Sequence, residues 1–200
     1  VSGPSGAGKS TILARVLEEM RNLRFSVSHT TRAARDAETE GVHYHFVDRF
    51  KFESMRARQE FVESAEVHGQ LYGTSRAEYD GAAADGVDLL LDLDVQGAAQ
   101  VRAAYADAVS VFILPPSYTD LERRLRGRGP DDEASFQRRL AVAGEEMSYF
   151  RKYQYAIVNV DLEASVEALK TVIRASRLRT SRVAETAEKI LSTFQTRKEK

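Results

Sequence analysis

The chain has 200 residues, 42% hydrophobic and 30% charged, which suits one globular domain with a small inserted lobe. With 29 basic and 30 acidic residues the net charge is −1, so the whole chain offers no long-range attraction for nucleic acid and any anion site is made locally. The lack of cysteine excludes disulfides, thiolate metal sites and a cysteine nucleophile, and no apolar run approaches the ~20 residues that span a bilayer, so a cytoplasmic location is expected.

Val1 reads as the tail of a strand that runs straight into a glycine-rich turn. Only Val1 and Ser2 precede the first glycine, whereas a strand feeding such a turn normally has about five residues. The native N-terminus is therefore expected upstream, and a targeting peptide there stays open. Ile12, Leu13, Val16, Leu17 and Met20 recur at helical spacing. Residues 25–50 switch to alternation, in Phe25-Ser-Val-Ser-His-Thr-Thr-Arg and Val42-His-Tyr-His-Phe-Val47, which predicts short strands of a mixed lobe. A helix is predicted at 50–58 and a strand from Phe61, with Gly69 and Gly73 punctuating the next stretch.

From Val87 the pattern changes again. Val87-Asp-Leu-Leu-Leu-Asp-Leu-Asp94 and Val109-Ser-Val-Phe-Ile-Leu114 have the continuous apolar centres of buried parallel strands. A helix at about 96–105 separates them, and Pro115-Pro116 stops the second. Helices come next at about 118–126 and 134–152, then a strand at 155–160 and a long helix capped by Ser165. The fold class is α/β: a parallel sheet covered by helices, an inserted mixed lobe at 25–85 and a helical lid at about 120–140. The core is then 1–24 with 86–180. In the tail, 181–200, Val183, Ala187, Ile190, Leu191 and Phe194 form one apolar stripe. It packs either on a neighbouring subunit, making a homo-oligomer, or on its own domain.

Gly3-Pro-Ser-Gly-Ala-Gly-Lys9-Ser10 fits the phosphate-loop pattern G-x-x-x-x-G-K-[ST]. Glycines let backbone N–H groups converge on phosphate oxygens, and the following helix presents its positive end to the same anion. Lys9 supplies charge to the β- and γ-phosphates, and the Ser10 hydroxyl is a ligand for Mg²⁺. At the start of an α/β pattern such a loop points to the P-loop NTPase fold; it specifies a nucleoside triphosphate but not its fate. A second segment, Ser26 to Arg35, packs Arg32 and Arg35 among hydroxyls. Arginine forks match phosphate bidentately, although a solvated polar loop reads the same way.

Taken together, these segments resemble guanylate kinase over nearly the whole chain. Gly3, Pro4, Ser5, Gly6, Ala7, Gly8, Lys9, Ser10 and Thr11 are similar to that family's ATP loop, and Ser26–Arg35 to its GMP-phosphate segment, with His29 where a small hydroxyl residue is usual. Gly41-Val-His-Tyr44, Glu60-Phe-Val-Glu63 and Tyr72-Gly-Thr74 resemble the rest of its GMP lobe. Asp92-Leu-Asp94 resembles its acidic strand end, and Arg124-Leu-Arg-Gly-Arg128 with Arg138-Arg139 its lid. The resemblance implies Mg²⁺-dependent transfer of the ATP γ-phosphoryl group to GMP. It implies that Arg32, Arg35, Tyr44 and Tyr72 hold the GMP phosphate, and that Glu63 reads guanine with Ser28 and Thr74 beside it.

Guanine offers N–H groups at N1 and N2 that a carboxylate accepts together, whereas adenine has an acceptor at N1. Asp92 is read as a GMP or metal-shell contact, against a structural salt bridge. Lys9, Arg32, Asp92, Arg128 and Arg139 form the expected catalytic set, with Arg124 next; other arginines of 121–139 read equally as solvated helix charges. Asn159 aligns with the ATP-base segment, where the family pattern Asn-Asp-Asp becomes Asn159-Val160-Asp161. His43 and His45 share a strand face without further ligands, which favours a solvated pair over zinc. Two rivals remain: a kinase of this fold with another acceptor, and a related interaction module without catalysis.

Overall fold

The apolar stripe at Ile12, Leu13 and Val16 is buried along helix α1 (Lys9–Glu19), which opens directly from the glycine loop. The computed structural model describes residues 1–67, 69–127 and 133–195. After α1 come strand β1 (Leu23–Phe25), then β2 (His29–Thr30), β3 (His45–Phe46), α2 (Arg49–Ala57), β4 (Phe61–Val67), β5 (Gln70–Ser75) and α3 (Arg76–Ala84). The chain continues with β6 (Asp88–Leu90), α4 (Val95–Ala104), β7 (Val111–Leu114), α5 (Tyr118–Arg126) and α6 (Glu133–Met147). A 3₁₀ turn (Ser148–Lys152), β8 (Tyr155–Val158), α7 (Leu162–Arg177) and α8 (Thr180–Gln195) complete it. Among the described residues no helix is long and apolar enough to cross a membrane.

Two sheets position everything else. β1 pairs in parallel with β6, and β7 with β8. Val1 and Ser2 join the two pairs. Val1 N donates to Leu91 O at 2.7 Å and Leu93 N to Val1 O at 3.0 Å, while Ser2 bridges Phe112 on the other side. One parallel layer results, with the phosphate loop leaving its centre at the carboxyl ends of the strands, where ligands sit in such sheets. Its core gathers Ile12, Val16, Leu90, Ile113, Val166 and Leu169. The second sheet has the order β3-β2-β5-β4, with β2 and β3 parallel and the other pairs antiparallel. Phe52, Met55, Phe61 and Leu71 give it a core of its own, in which the Phe52 and Phe61 rings stack at 4.5 Å. A third cluster, Leu121, Leu125, Phe136, Leu140 and Ala143, joins α5 to α6.

Several boundaries differ from the sequence reading. Phe25, expected to open the inserted lobe, pairs with Leu90 in the central sheet. β1 is half-buried along its length, so it lacks the unbroken apolar run that marks a fully buried strand. The strand expected over 87–94 ends at Leu90, because Asp94 turns to cap α4, accepting from Gly97 N at 2.9 Å. Asp161 rather than Ser165 caps α7, accepting from Ala164 N at 2.8 Å. Ser165 lies one turn inside the helix and is buried. The helix expected over 134–152 gives way at Ser148 to the 3₁₀ turn. The tail stripe does not dock on its own domain: Ile190, Leu191 and Phe194 are exposed, the last by 63%. α8 is tied to the core near its start, where Arg182 pairs with Asp88 at 3.1 Å.

Candidate active site

The phosphate loop is built for an anion and clamped from beneath. Gly8 is the N-cap of α1 in the left-handed region, φ 93, and no side chain caps the helix, which leaves its first N–H groups for a ligand. A Cβ on Gly8 would lie 2.3 Å from Asn159 Nδ2, so only glycine lets the loop close onto that amide. Asn159 Nδ2 donates to Ala7 O at 2.7 Å, and its Oδ1 accepts from Ser165 Oγ at 3.0 Å. Arg124 reaches the same place from α5, with Nη1 donating to Ala7 O at 3.3 Å and Nη2 to Asn159 O at 3.2 Å. Lys9 folds back over the loop, Nζ donating to Gly3 O at 2.6 Å.

In the second sheet, Glu63 of β4 is only 4% exposed. Its Oε1 accepts from Thr74 N at 2.9 Å across the β4–β5 pair. Burial pushes the Glu63 carboxyl above its ordinary range, and Thr74 pulls it partly back. The carboxylate lies against the first turn of α4, since a Cβ on Gly97 would stand 2.5 Å from Glu63 Oε2. Burial, with Asp92 nearby, pushes the Tyr44 phenol up, so it stays a neutral donor at physiological pH. The Tyr44 and Tyr72 rings meet edge to face at 5.9 Å, and the Arg32 guanidinium lies 5.3 Å from the Tyr44 ring centre. Arg32 forms a two-bond pair with Glu38, Nη2 to Oε1 at 2.7 Å and Nη1 to Oε2 at 2.9 Å. That pair pushes the Glu38 carboxyl down to about 2.

A single cleft of about 780 Å³ runs between the loop and the second sheet. From the loop, Gly3, Pro4, Ser5, Gly6, Gly8, Lys9 and Ser10 line it. Ser28, Arg35, Tyr44, Glu63 and Tyr72 line it from the inserted lobe, with Asp92 and Asp94 at the strand end. Leu93 lines it too, although strict strand alternation would turn it away; the strand has already ended. α6 contributes Arg139, Val142, Ala143 and Glu146, the spacing of one helix face. Of the other expected residues, Ala7, Thr74 and Asn159 are buried behind the cleft wall, Arg32 is engaged by Glu38, and Thr11 is exposed on α1. Arg128 lies outside the described residues.

A sequence profile described as guanylate kinase matches residues 1–176. The chain is 48% identical over 194 residues to a guanylate kinase of Salmonella paratyphi A, covering 96% of this chain and 94% of that protein. It is 47% identical to one from Escherichia coli K12 with the same coverage. The crystal structure of guanylate kinase from Anaplasma phagocytophilum superposes with a TM-score of 0.76 at 37% identity, covering 90% of this chain and 86% of that one. The chain belongs to the guanylate kinase family. It is thereby an enzyme, a nucleoside monophosphate kinase of the ATP:GMP phosphotransferase class.

Two departures from the guanylate kinase pattern have structural accounts. His29 packs between His45, ring centres 4.7 Å apart, and Phe61; burial and the neighbouring His45 push its pKa down, so it is a neutral packing group. Val160 is exposed, and the next residue, Asp161, is occupied as the α7 cap. The sequence reading did not name Glu38 or Glu146, and it gave Gly97 and Ser165 no part in the site. Glu38 had a signal, an acid three residues beyond Arg35 in a segment otherwise suited to anions. The others had none, because their importance comes from what a distant segment brings against them.

Proposed function

We propose that ATP lies along the Gly3–Thr11 loop and GMP in the inserted lobe, and that the γ-phosphoryl group passes between them inside the cleft. The observation that carries this reading is that one cleft is lined on one side by Lys9 and Ser10 and on the other by Arg35, Tyr44, Glu63 and Tyr72. Glu63 accepts the guanine N1–H and N2–H, with Ser28 and Thr74 beside it. Arg32, Arg35 and the two tyrosines hold the GMP phosphate. A phosphate oxygen of GMP attacks the γ-phosphorus, the bond to the β–γ bridging oxygen breaks, and ADP leaves. The nucleophile is already an anion at neutral pH, so orientation and charge stabilisation carry the rate.

Lys9 releases Gly3 O to reach the β- and γ-phosphates, and Arg139 on α6, with Arg128 and Arg124, stabilises the transferring group. Asn159 keeps the Ala7 carbonyl, and with it the loop, in place; on this reading its part in ATP binding is positional. Ser10 at the helix start and Asp92, which line the same cleft, are hard oxygen donors that fit Mg²⁺. When bound, Mg²⁺ neutralises charge on the phosphate oxygens. The same reading places the enzyme in the cytoplasm and makes the exposed stripe of α8 a contact with a second copy. A coupled assay with GMP, AMP, dTMP and UMP tests the acceptor: turnover with GMP alone is expected, and equal turnover with AMP would sink the role given to Glu63.

A further inference from the structure

Arg32 has five N–H donors, and the structure accounts for three of them. Nη1 gives one to Glu38 Oε2 at 2.9 Å and one to Ala33 O at 2.7 Å, and Nη2 gives one to Glu38 Oε1 at 2.7 Å. The two that remain, on Nε and Nη2, lie along one edge of the guanidinium, and the Tyr72 phenol is a further hydrogen-bonding neighbour of the group. That edge is itself a fork suited to two oxygens of a phosphate. Glu38 does a second thing: its Oε2 accepts from Arg35 N at 2.9 Å, and its own N–H donates to Arg35 O. One carboxylate thus pins the side chain of Arg32 and the backbone of Arg35, the residue of this pair that lines the cleft. The Arg32–Glu38 contact is largely shielded, with side-chain exposures of 18% and 15%.

We propose that Glu38 is a positioning residue for the acceptor phosphate: it occupies the end-on fork of Arg32 so that the side-on fork stays turned for phosphate, and it holds the Arg35 turn in register. The inference rests on the reading that Arg32 and Arg35 hold that phosphate. Glu38→Gln tests it, because glutamine keeps the size but removes the charge and one of the two acceptor oxygens. In the full chain the KM for GMP should rise about tenfold, with the KM for ATP and the affinity for guanosine, which has no phosphate, held within about twofold. Glu38→Asp keeps the charge on a shorter arm and should show the same split to a smaller degree, which keeps the test open should Glu38→Gln fold poorly. An unchanged KM for GMP overturns the proposal. So does a lower one, which would make Glu38 a competitor for the fork, and so does an equal rise in both KM values, which would make it merely structural. Arg32→Ala and Arg35→Ala separate the two levels. If neither raises the KM for GMP, the phosphate reading itself is wrong; if they do and Glu38→Gln does not, only the role of Glu38 fails.

Discussion

Replacing Gly97 with alanine puts a methyl group where the Glu63 carboxylate already lies. Glu63 Oε2 would stand 2.5 Å from the new Cβ, against at least 3.4 Å for ordinary contact, so the carboxylate has to give by about 0.9 Å. It is the end of a flexible side chain, but a buried one, and its other oxygen is held by Thr74 N at 2.9 Å. Moving it strains or breaks that bond, a loss of about 1–3 kcal/mol, while alanine in place of glycine in α4 returns up to about 1 kcal/mol. The same Cβ would stand 3.2 Å from Asp94 Oδ1, a contact that a shift of a few tenths of an ångström relieves, so the cap on the residue 97 N–H is kept. The net loss of stability should therefore stay within about 2 kcal/mol, with Tm falling by less than about 8 °C. The guanine site should suffer far more, because a displacement of about 1 Å at a site that orients substrate costs on the order of 10²-fold in kcat/KM for GMP. Steady-state kinetics with each substrate varied, beside a thermal melt, reads both effects. If kcat/KM for GMP stayed within about threefold of the parent while the protein remained folded, the placement of guanine against Glu63 would be wrong.

Glu63 also sets a pH dependence. Burial raises its carboxyl, so on acidification it takes up a proton above the ordinary carboxylate range and offers guanine a donor in place of an acceptor. The KM for GMP should rise as pH falls through that window, with the KM for ATP flat, and Glu63→Gln should abolish the GMP trend. Stability runs the other way. The folded state holds this proton more tightly than the unfolded chain, so the Glu63 contribution is present at acid pH and is lost as pH rises; melts of parent and Glu63→Gln across pH would show it. Ser165→Ala leaves Asn159 Oδ1 without the buried hydroxyl at 3.0 Å, which should cost about 1–3 kcal/mol in denaturant unfolding and raise the KM for ATP but not for GMP. Removal of residues 180–200 should lower the particle mass in sedimentation beyond the mass of the segment itself; an unchanged oligomer number would refute the role given to α8.

The phosphate loop was legible because every part of its chemistry is local. Gly8, Lys9 and Ser10 act within one turn of chain, and the apolar stripe of α1 begins at once. The strand at 111–114 was legible because burial on both faces leaves an unbroken apolar run, and the one at 88–90 because Leu89, Leu90 and Leu91 follow one another although only Leu90 is fully buried. β1 was not, since a half-buried strand alternates like the short strands of the lobe. The α7 cap was misplaced because Asp161 and Ser165 are both good capping residues and only geometry separates them. For the acceptor site, residue types suggested phosphate and guanine, but no spacing rule brings Glu63 of β4 against Thr74 of β5 and Gly97 of α4.

Local chemistry alone pointed to the donor half of the reaction: a glycine-rich turn, a lysine and a hydroxyl at a helix start, in this order, are the pattern of a triphosphate-binding loop. The acceptor half was decided by tertiary structure. In the role proposed for it, Glu63 can discriminate bases only because burial strips it of water and the β4–β5 pairing holds it still, and neither condition is written at position 63. The same holds for Asn159, which looks like a base contact in sequence and in the fold anchors the loop through Ala7 O. Hydrogen bonds between segments more than a hundred residues apart, such as those from Arg124 and Asn159 to the loop, exist only once the core has brought their backbones together.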